Sequence, residues 1–181
     1  LIKSSGFYRV KASRIKEVSR ILVEKFNSKV PSSYKKLVNL PGVGSKTANC
    51  VLVYAFKIPA IPVDTHVHRI SNRLGWVKTK NPLKTEIALK NLVPRELWLK
   101  LNRLLVSFGK EICLPIKPKC ESCSVENRCL KDFSMEFTLK NKKKKRIKWY
   151  NLIFKYDSYC GLYCGACEIC LMNEIGKIQE K

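Results

Sequence analysis

Hydrophobic positions recur at helical spacing through the first 110 residues. From Ala12 to Asn27, Ile15, Val18, Leu22 and Phe26 share one stripe and charged residues fill the positions between, which predicts an amphipathic helix. Val30-Pro31-Ser32 interrupts that pattern, and Ser32 or Ser33 can cap a short helix running through Val38. Thr47 to Phe56 is apolar almost all round, the mark of a buried helix. Ile58-Pro59-Ala60-Ile61-Pro62 cannot be helical, because each proline biases its predecessor toward extended geometry. The chain then turns at Asp64 into a helix ending near Leu74, with Gly75 beyond it. Asn81-Pro82 pairs a capping residue with proline at the first helical position and opens a helix through Leu92. Pro94 restarts another, with Leu97, Leu101, Leu104, Leu105 and Phe108 facing inward and Gly109 stopping it. No stretch alternates with period two, so the predicted body is all-α.

Between the short helix and the buried one lies Leu40-Pro41-Gly42-Val43-Gly44-Ser45-Lys46-Thr47-Ala48. Pro41 fixes one turn dihedral, and Gly42 and Gly44 suit positions where a side chain would clash or φ must be positive. A tight hairpin between two helices is the expectation. Glycines at a helix start leave backbone N–H groups able to meet phosphate, so the hairpin suits a clamp on a nucleic-acid backbone.

Charge strengthens that reading. The formal net charge is +22, and it is unevenly spread: residues 1–130 carry 25 Lys/Arg against 8 Asp/Glu, residues 131–155 carry 9 against 2, and residues 156–181 carry 2 against 4. A basic body and connector fit a polyanionic partner, most simply nucleic acid. A lysine-rich solvated surface is the alternative, and charge alone does not separate the two. No apolar run approaches the length of a membrane span.

Eight of the nine cysteines fall into two groups of four, while Cys50 lies alone in the buried helix and reads as core packing. Cys113, Cys120, Cys123 and Cys129 follow a C-x6-C-x2-C-x5-C pattern. Four thiolates in so short a loop can wrap one metal ion or one cluster, and they tie together a loop too small for its own core. Cys160, Cys164, Cys167 and Cys170 form a second group in a tail that resembles the opening of a small cysteine-rich prokaryotic domain family; the spacing suffices for zinc or a second cluster, and a truncated fusion partner with no metal is the alternative. Residues 131–150, with Lys142-Lys143-Lys144-Lys145-Arg146, read as an extended basic connector. The expected division is thus 1–112 for the helical body, 113–130 for a metal loop, 131–150 for the linker and 151–181 for the tail.

Leu40-Pro41-Gly42-Val43-Gly44-x-Lys46-Thr47-Ala48 and Val63-Asp64-Thr65-His66-Val67-x-Arg69 together resemble the helix-hairpin-helix and catalytic aspartate motifs of the endonuclease III family. The resemblance runs from about Ile2 to Cys129. It implies a helix-hairpin-helix glycosylase fold and a bifunctional base-excision enzyme. Such an enzyme removes oxidised pyrimidines and cleaves the abasic site by β-elimination through a lysine Schiff base. In these terms Lys46 is the attacking amine and Asp64 its carboxylate partner, and the first cysteine group holds a [4Fe–4S] cluster, with structural zinc as the alternative. A helix N-terminus and partial burial would both favour a neutral amine at Lys46. Leu40, Gly42, Val43, Gly44 and Ser45 would meet DNA, together with Lys117 and Lys119 in the loop, and His66 and Arg69 would support the site or touch phosphate. His68 reads as surface or packing. The implied partner is double-stranded DNA carrying damaged pyrimidines or abasic sites, met by a monomer in a prokaryotic cytoplasm beside the nucleoid. The adenine-specific branch is disfavoured because it lacks the hairpin lysine. The chain also begins inside the family's pattern, without the helices that complete the helical barrel and part of the damage pocket. Poor activity of this chain alone is therefore expected, and a non-catalytic DNA-binding module is the second reading.

Overall fold

A computed structural model describes residues 2–133. The described residues form six α-helices and short 3-10 and π turns, with no strand among them. The helices are α1 (Tyr8–Phe26), α2 (Tyr34–Val38), α3 (Ser45–Cys50), α4 (Thr65–Arg73), α5 (Pro82–Leu92) and α6 (Trp98–Glu111). None is long and apolar enough to cross a membrane.

Two apolar clusters organise the body. The first belongs to the hairpin half: Leu37, Leu40, Ala48, Leu52, Val53 and Ala60 are buried, and α1 lays Val18, Ile21, Leu22 and Phe26 against them. The expected stripe on α1 therefore needs one correction. Ile15 is 54% exposed and takes no part in this packing. Stepping back one turn from Val18 on the same face leads to Arg14, so the apolar stripe ends at Val18. The second cluster joins Val67, Ile70 and Leu74 of the α4 face to Leu89 of α5 and to Leu101, Leu104, Leu105 and Phe108 of α6.

Two further expectations are revised. Gly109 does not stop α6, which continues to Glu111. A Cβ at Gly109 would collide with His66 Nδ1 and lie 2.9 Å from Ile70 Cδ1 and 3.1 Å from Arg69 Nη2. The glycine therefore lets α4 lie hard against α6. The buried helix after the hairpin is also not one regular helix. It runs as α3 to Cys50 and then widens into a π turn over Val51–Ala55. There Leu52 and Val53 face inward, whereas Tyr54 is 39% exposed. The Tyr54 hydroxyl donates to Asn102 Oδ1 on α6 at 2.7 Å.

Candidate active site and nucleic-acid interface

The hairpin turns where expected. Val43 N–H donates to Leu40 C=O at 3.1 Å, and Ala48 N–H makes the first helical bond of α3, to Gly44 C=O at 2.9 Å. Gly42 sits at φ +74°, in the left-handed region that glycine occupies without steric cost. Gly44 differs: its φ is −91°, and a Cβ there would meet nothing within 4 Å. Nothing among the described residues requires glycine at this position, so the bare backbone here is open to close approach from outside them. Leu40 is buried in the hairpin core, and Val43 is half-buried against it. The hairpin's outer face is therefore made of Gly42, Gly44 and the exposed Lys46. The partial burial expected of Lys46 is not found among the described residues.

Asp64 is the N-cap of α4. Its Oδ1 accepts from the N–H groups of both His66 and Val67, each at 2.9 Å. Capping thus occupies one carboxylate oxygen. The strap leading into Asp64 has carbonyls that a proline-rich segment cannot pair with itself, and two buried asparagines meet them. Asn49 of α3 donates to Ile61 C=O at 3.3 Å, and Asn102 of α6 donates to Pro62 C=O at 2.7 Å. The helix that starts beside Lys46 therefore holds the strap that ends at Asp64. Neither asparagine stood out in the sequence analysis. The available signal was an amide inside a run of otherwise apolar helical positions, since buried amides are retained where they have partners.

The start of α3 has one more anchor. Ser45 Oγ donates to Glu86 Oε2 at 2.5 Å, and Lys90 pairs with Glu86 Oε1 at 2.5 Å. Burial alone would raise the Glu86 carboxyl. Hydrogen bonds from Lys90, Ser45 and Asn49, with the Lys90 charge, outweigh it and leave the carboxyl below its usual range. Ser45, expected to meet DNA, is thus turned toward α5.

His66 and Arg69 face α6. Arg69 Nη2 donates to Cys113 C=O at 2.7 Å and to Gly109 C=O at 3.3 Å, and it lies 3.4 Å from His66 Nδ1. This joins the aspartate helix to the first cysteine of the loop, a supporting position. His68 packs, as one of its two readings held. Its Nδ1 lies 2.6 Å from Thr85 Oγ1, within a network that also contains Asn72 and Thr79. Burial lowers the His68 pKa below the ordinary histidine value. Folding therefore favours the neutral ring, so stability is full above about pH 6.5 and declines as pH falls toward the lowered value. In denaturant unfolding, His68→Gln is expected to flatten the part of the stability loss that wild type shows as pH falls below about 6.5.

Cys113, Cys120, Cys123 and Cys129 line a single pocket of about 390 Å³, its open mouth included, with Arg73, Phe108, Lys119 and Val125 also on its walls. None of the four is in a disulfide. Burial pushes the Cys123 and Cys129 thiols up, and neighbouring thiolates add to the effect. Donors point at the sulfurs: Arg73 Nη1 lies 3.2 Å from Cys113 Sγ, and Lys131 N–H lies 3.4 Å from Cys129 Sγ. Among the described residues, no three His, Cys, Asp or Glu side chains are gathered closely enough to hold one metal ion. Lys117 and Lys119 are exposed at the loop surface. Cys160, Cys164, Cys167 and Cys170, and most of the basic connector, lie outside the described residues.

An exposed hairpin between helices, tied through buried amides to a capped aspartate, defines a helix-hairpin-helix protein. The chain belongs to the HhH-GPD superfamily of base excision DNA repair proteins, whose model matches residues 1–95. It is 60% identical over 129 residues to endonuclease III of Thermotoga maritima, covering 71% of this chain and 61% of that protein. It is 48% identical over 126 residues to endonuclease III-like protein 1 of Bos taurus, covering 68% of this chain and 41% of that protein. The chain thus spans about two fifths to three fifths of the length of these relatives. Among solved structures it resembles a trapped endonuclease III–DNA covalent intermediate, with TM-score 0.68 and 38% identity, over 76% of this chain and 64% of that one. A thermostable thymine-DNA glycosylase matches with TM-score 0.60 and 32% identity, over 68% of this chain and 59% of that one. The helical fold expected from the endonuclease III resemblance is the fold observed.

Proposed function

We propose that the chain acts in base excision repair as a bifunctional DNA glycosylase and abasic-site lyase on double-stranded DNA bearing oxidised pyrimidines. The relatives' names and the DNA complex support DNA as the partner. The observation that carries the reading is the tie between the two motifs: Asn49, three residues after Lys46, holds the strap that delivers Asp64.

In this reading the target nucleotide swings out of the duplex, because C1′ is inaccessible within the stack. The Lys46 amine bonds to C1′ as the glycosidic bond breaks, and the base leaves with that electron pair and takes up a proton. Asp64 Oδ1 stays with the cap, and the carboxylate's other oxygen accepts the proton released by the amine or faces the positive charge building on the sugar. Opening of the sugar gives an imine between Lys46 and C1′. Loss of a C2′ proton then expels the 3′ phosphate by β-elimination, and water releases the amine. Since Lys46 is exposed, exclusion of water around it falls to the bound DNA. The bare surface of Gly44 admits close approach of a phosphate.

The first cysteine group fits a [4Fe–4S] cluster. Four thiols stand around one pocket, with N–H donors aimed at two of the sulfurs. Structural zinc is the alternative, since four thiolates also suit a single zinc ion. When bound, it would tie the loop to the end of α6, and Cys113, Cys120, Cys123 and Cys129 would hold it. In this reading the protein works as a monomer, and a bacterial relative supports a place in the cytoplasm beside the nucleoid.

Borohydride trapping on an abasic-site duplex tests the proposal. A covalent protein–DNA adduct is expected, and Lys46→Ala should reduce it at least 100-fold, roughly the contribution of an activated nucleophile. Tight binding without any wild-type adduct would instead identify a non-catalytic DNA-binding module.

A further inference from the structure

We propose that Arg14 of α1 is a phosphate-binding residue of the hairpin, seated on Gly42 and presenting its guanidinium to the backbone of bound DNA. This rests on the reading of the hairpin as a DNA clamp, and it adds a residue from outside the motif. Arg14 Cδ lies 2.5 Å from where a Cβ on Gly42 would stand, with Nε at 3.1 Å and Nη1 at 3.3 Å. The arginine stem thus occupies the space that the missing side chain leaves. Gly42 serves twice, through its positive φ and through the seat it offers.

Position along α1 explains how the arginine arrives there. Arg14 lies one turn before Val18 on the face that packs against the hairpin core, at the point where the apolar cluster runs out. Lying along that face, the stem brings the charged head to the rim of the hairpin. Among the described residues Arg14 makes no hydrogen bond, ion pair or ring contact, although Glu17 and Glu24 share its helix. It is exposed, and so is Lys46, which follows the turn in the first residues of α3. A cation without a carboxylate partner, seated on a hairpin that also carries an exposed lysine, suits an incoming anion. The planar guanidinium matches phosphate oxygens two at a time, and a stem already in place loses less freedom on binding than a sweeping lysine would.

The experiment is duplex binding by fluorescence anisotropy across a salt series, with Arg14→Gln compared against wild type. Lys25→Gln serves as a charge-matched control about 16 Å farther along the same helix. For Arg14→Gln the expected result is weaker binding by roughly threefold to tenfold. The slope of log affinity on log salt should be shallower by about one, on undamaged and abasic duplex alike. Lys25→Gln should leave the slope unchanged, and both variants should unfold at the wild-type midpoint. Equal effects from the two substitutions, or an unchanged slope for Arg14→Gln, would overturn the assignment while leaving the DNA reading intact. Absence of duplex binding by wild type would overturn both.

Discussion

Asp64→Asn is expected to leave folding nearly untouched while lowering the rate of borohydride-trapped adduct by about 100-fold or more, the usual worth of a positioned acid–base group. The two halves of this expectation come from the two carboxylate oxygens. Oδ1 accepts from two backbone N–H groups at the start of α4. An asparagine oxygen can do the same, since asparagine caps helices about as well as aspartate. What the substitution removes is the charge, and with it the ability to take a proton or to stabilise a sugar cation. Asp64→Ala removes both functions. It should lose the same activity and in addition about 1 kcal/mol of stability, the typical value of a cap. Denaturant unfolding and single-turnover trapping, run on both variants, separate the roles. If Asp64→Asn traps at the wild-type rate, Asp64 is a cap and nothing more.

The second large effect is expected at the cysteine loop. Cys120→Ser combined with Cys123→Ser should abolish the brown iron–sulfur absorption and bring bound iron from about four atoms per chain to near zero. The thermal midpoint should fall on the order of 10 °C, because binding energy in a metal loop is largely folding energy. The structural cause is visible around the pocket. Residues 113–129 contribute one buried apolar side chain, Val125, and otherwise 3-10 turns at Cys120–Ser122 and Glu126–Arg128. Without four ligands drawing these turns together, little holds them against Phe108 and Leu74. Cys50→Ser, in the other half of the molecule, should leave the absorption and the bound iron unchanged. One zinc per colourless wild-type chain would replace the cluster assignment with a zinc site, and a wild-type chain with no stoichiometric metal would remove both.

Much of this was legible before any coordinates. Asn81-Pro82 announced α5, and Asn81 does cap it, accepting from Lys84 N–H at 2.9 Å. Asp64 and Gly42 stood where their local chemistry demanded. What escaped the sequence reading depended on a neighbour distant along the chain. Ile15 matched the helical period as well as Arg14 did, and only the placement of the hairpin against α1 decided between them. Gly109 looked like a helix stop because glycine is often one, yet it answers to α4 across the interface. Lys117 and Lys119 are exposed, whereas the serine beside Lys46 is held by Glu86, 41 positions later. The site motifs were local and therefore readable, while the contacts that hold them were not.

The strap between the π turn and Asp64 has a consequence for how this protein can be observed. Pro59 and Pro62 carry no amide proton, so backbone hydrogen exchange is blind at two positions of the segment that delivers the carboxylate. Its integrity is written instead in two side-chain amides, Asn49 and Asn102, each bonded to a strap carbonyl. The NH₂ resonances of those two asparagines are the natural spectroscopic gauge of whether the strap stays seated when duplex DNA is titrated in.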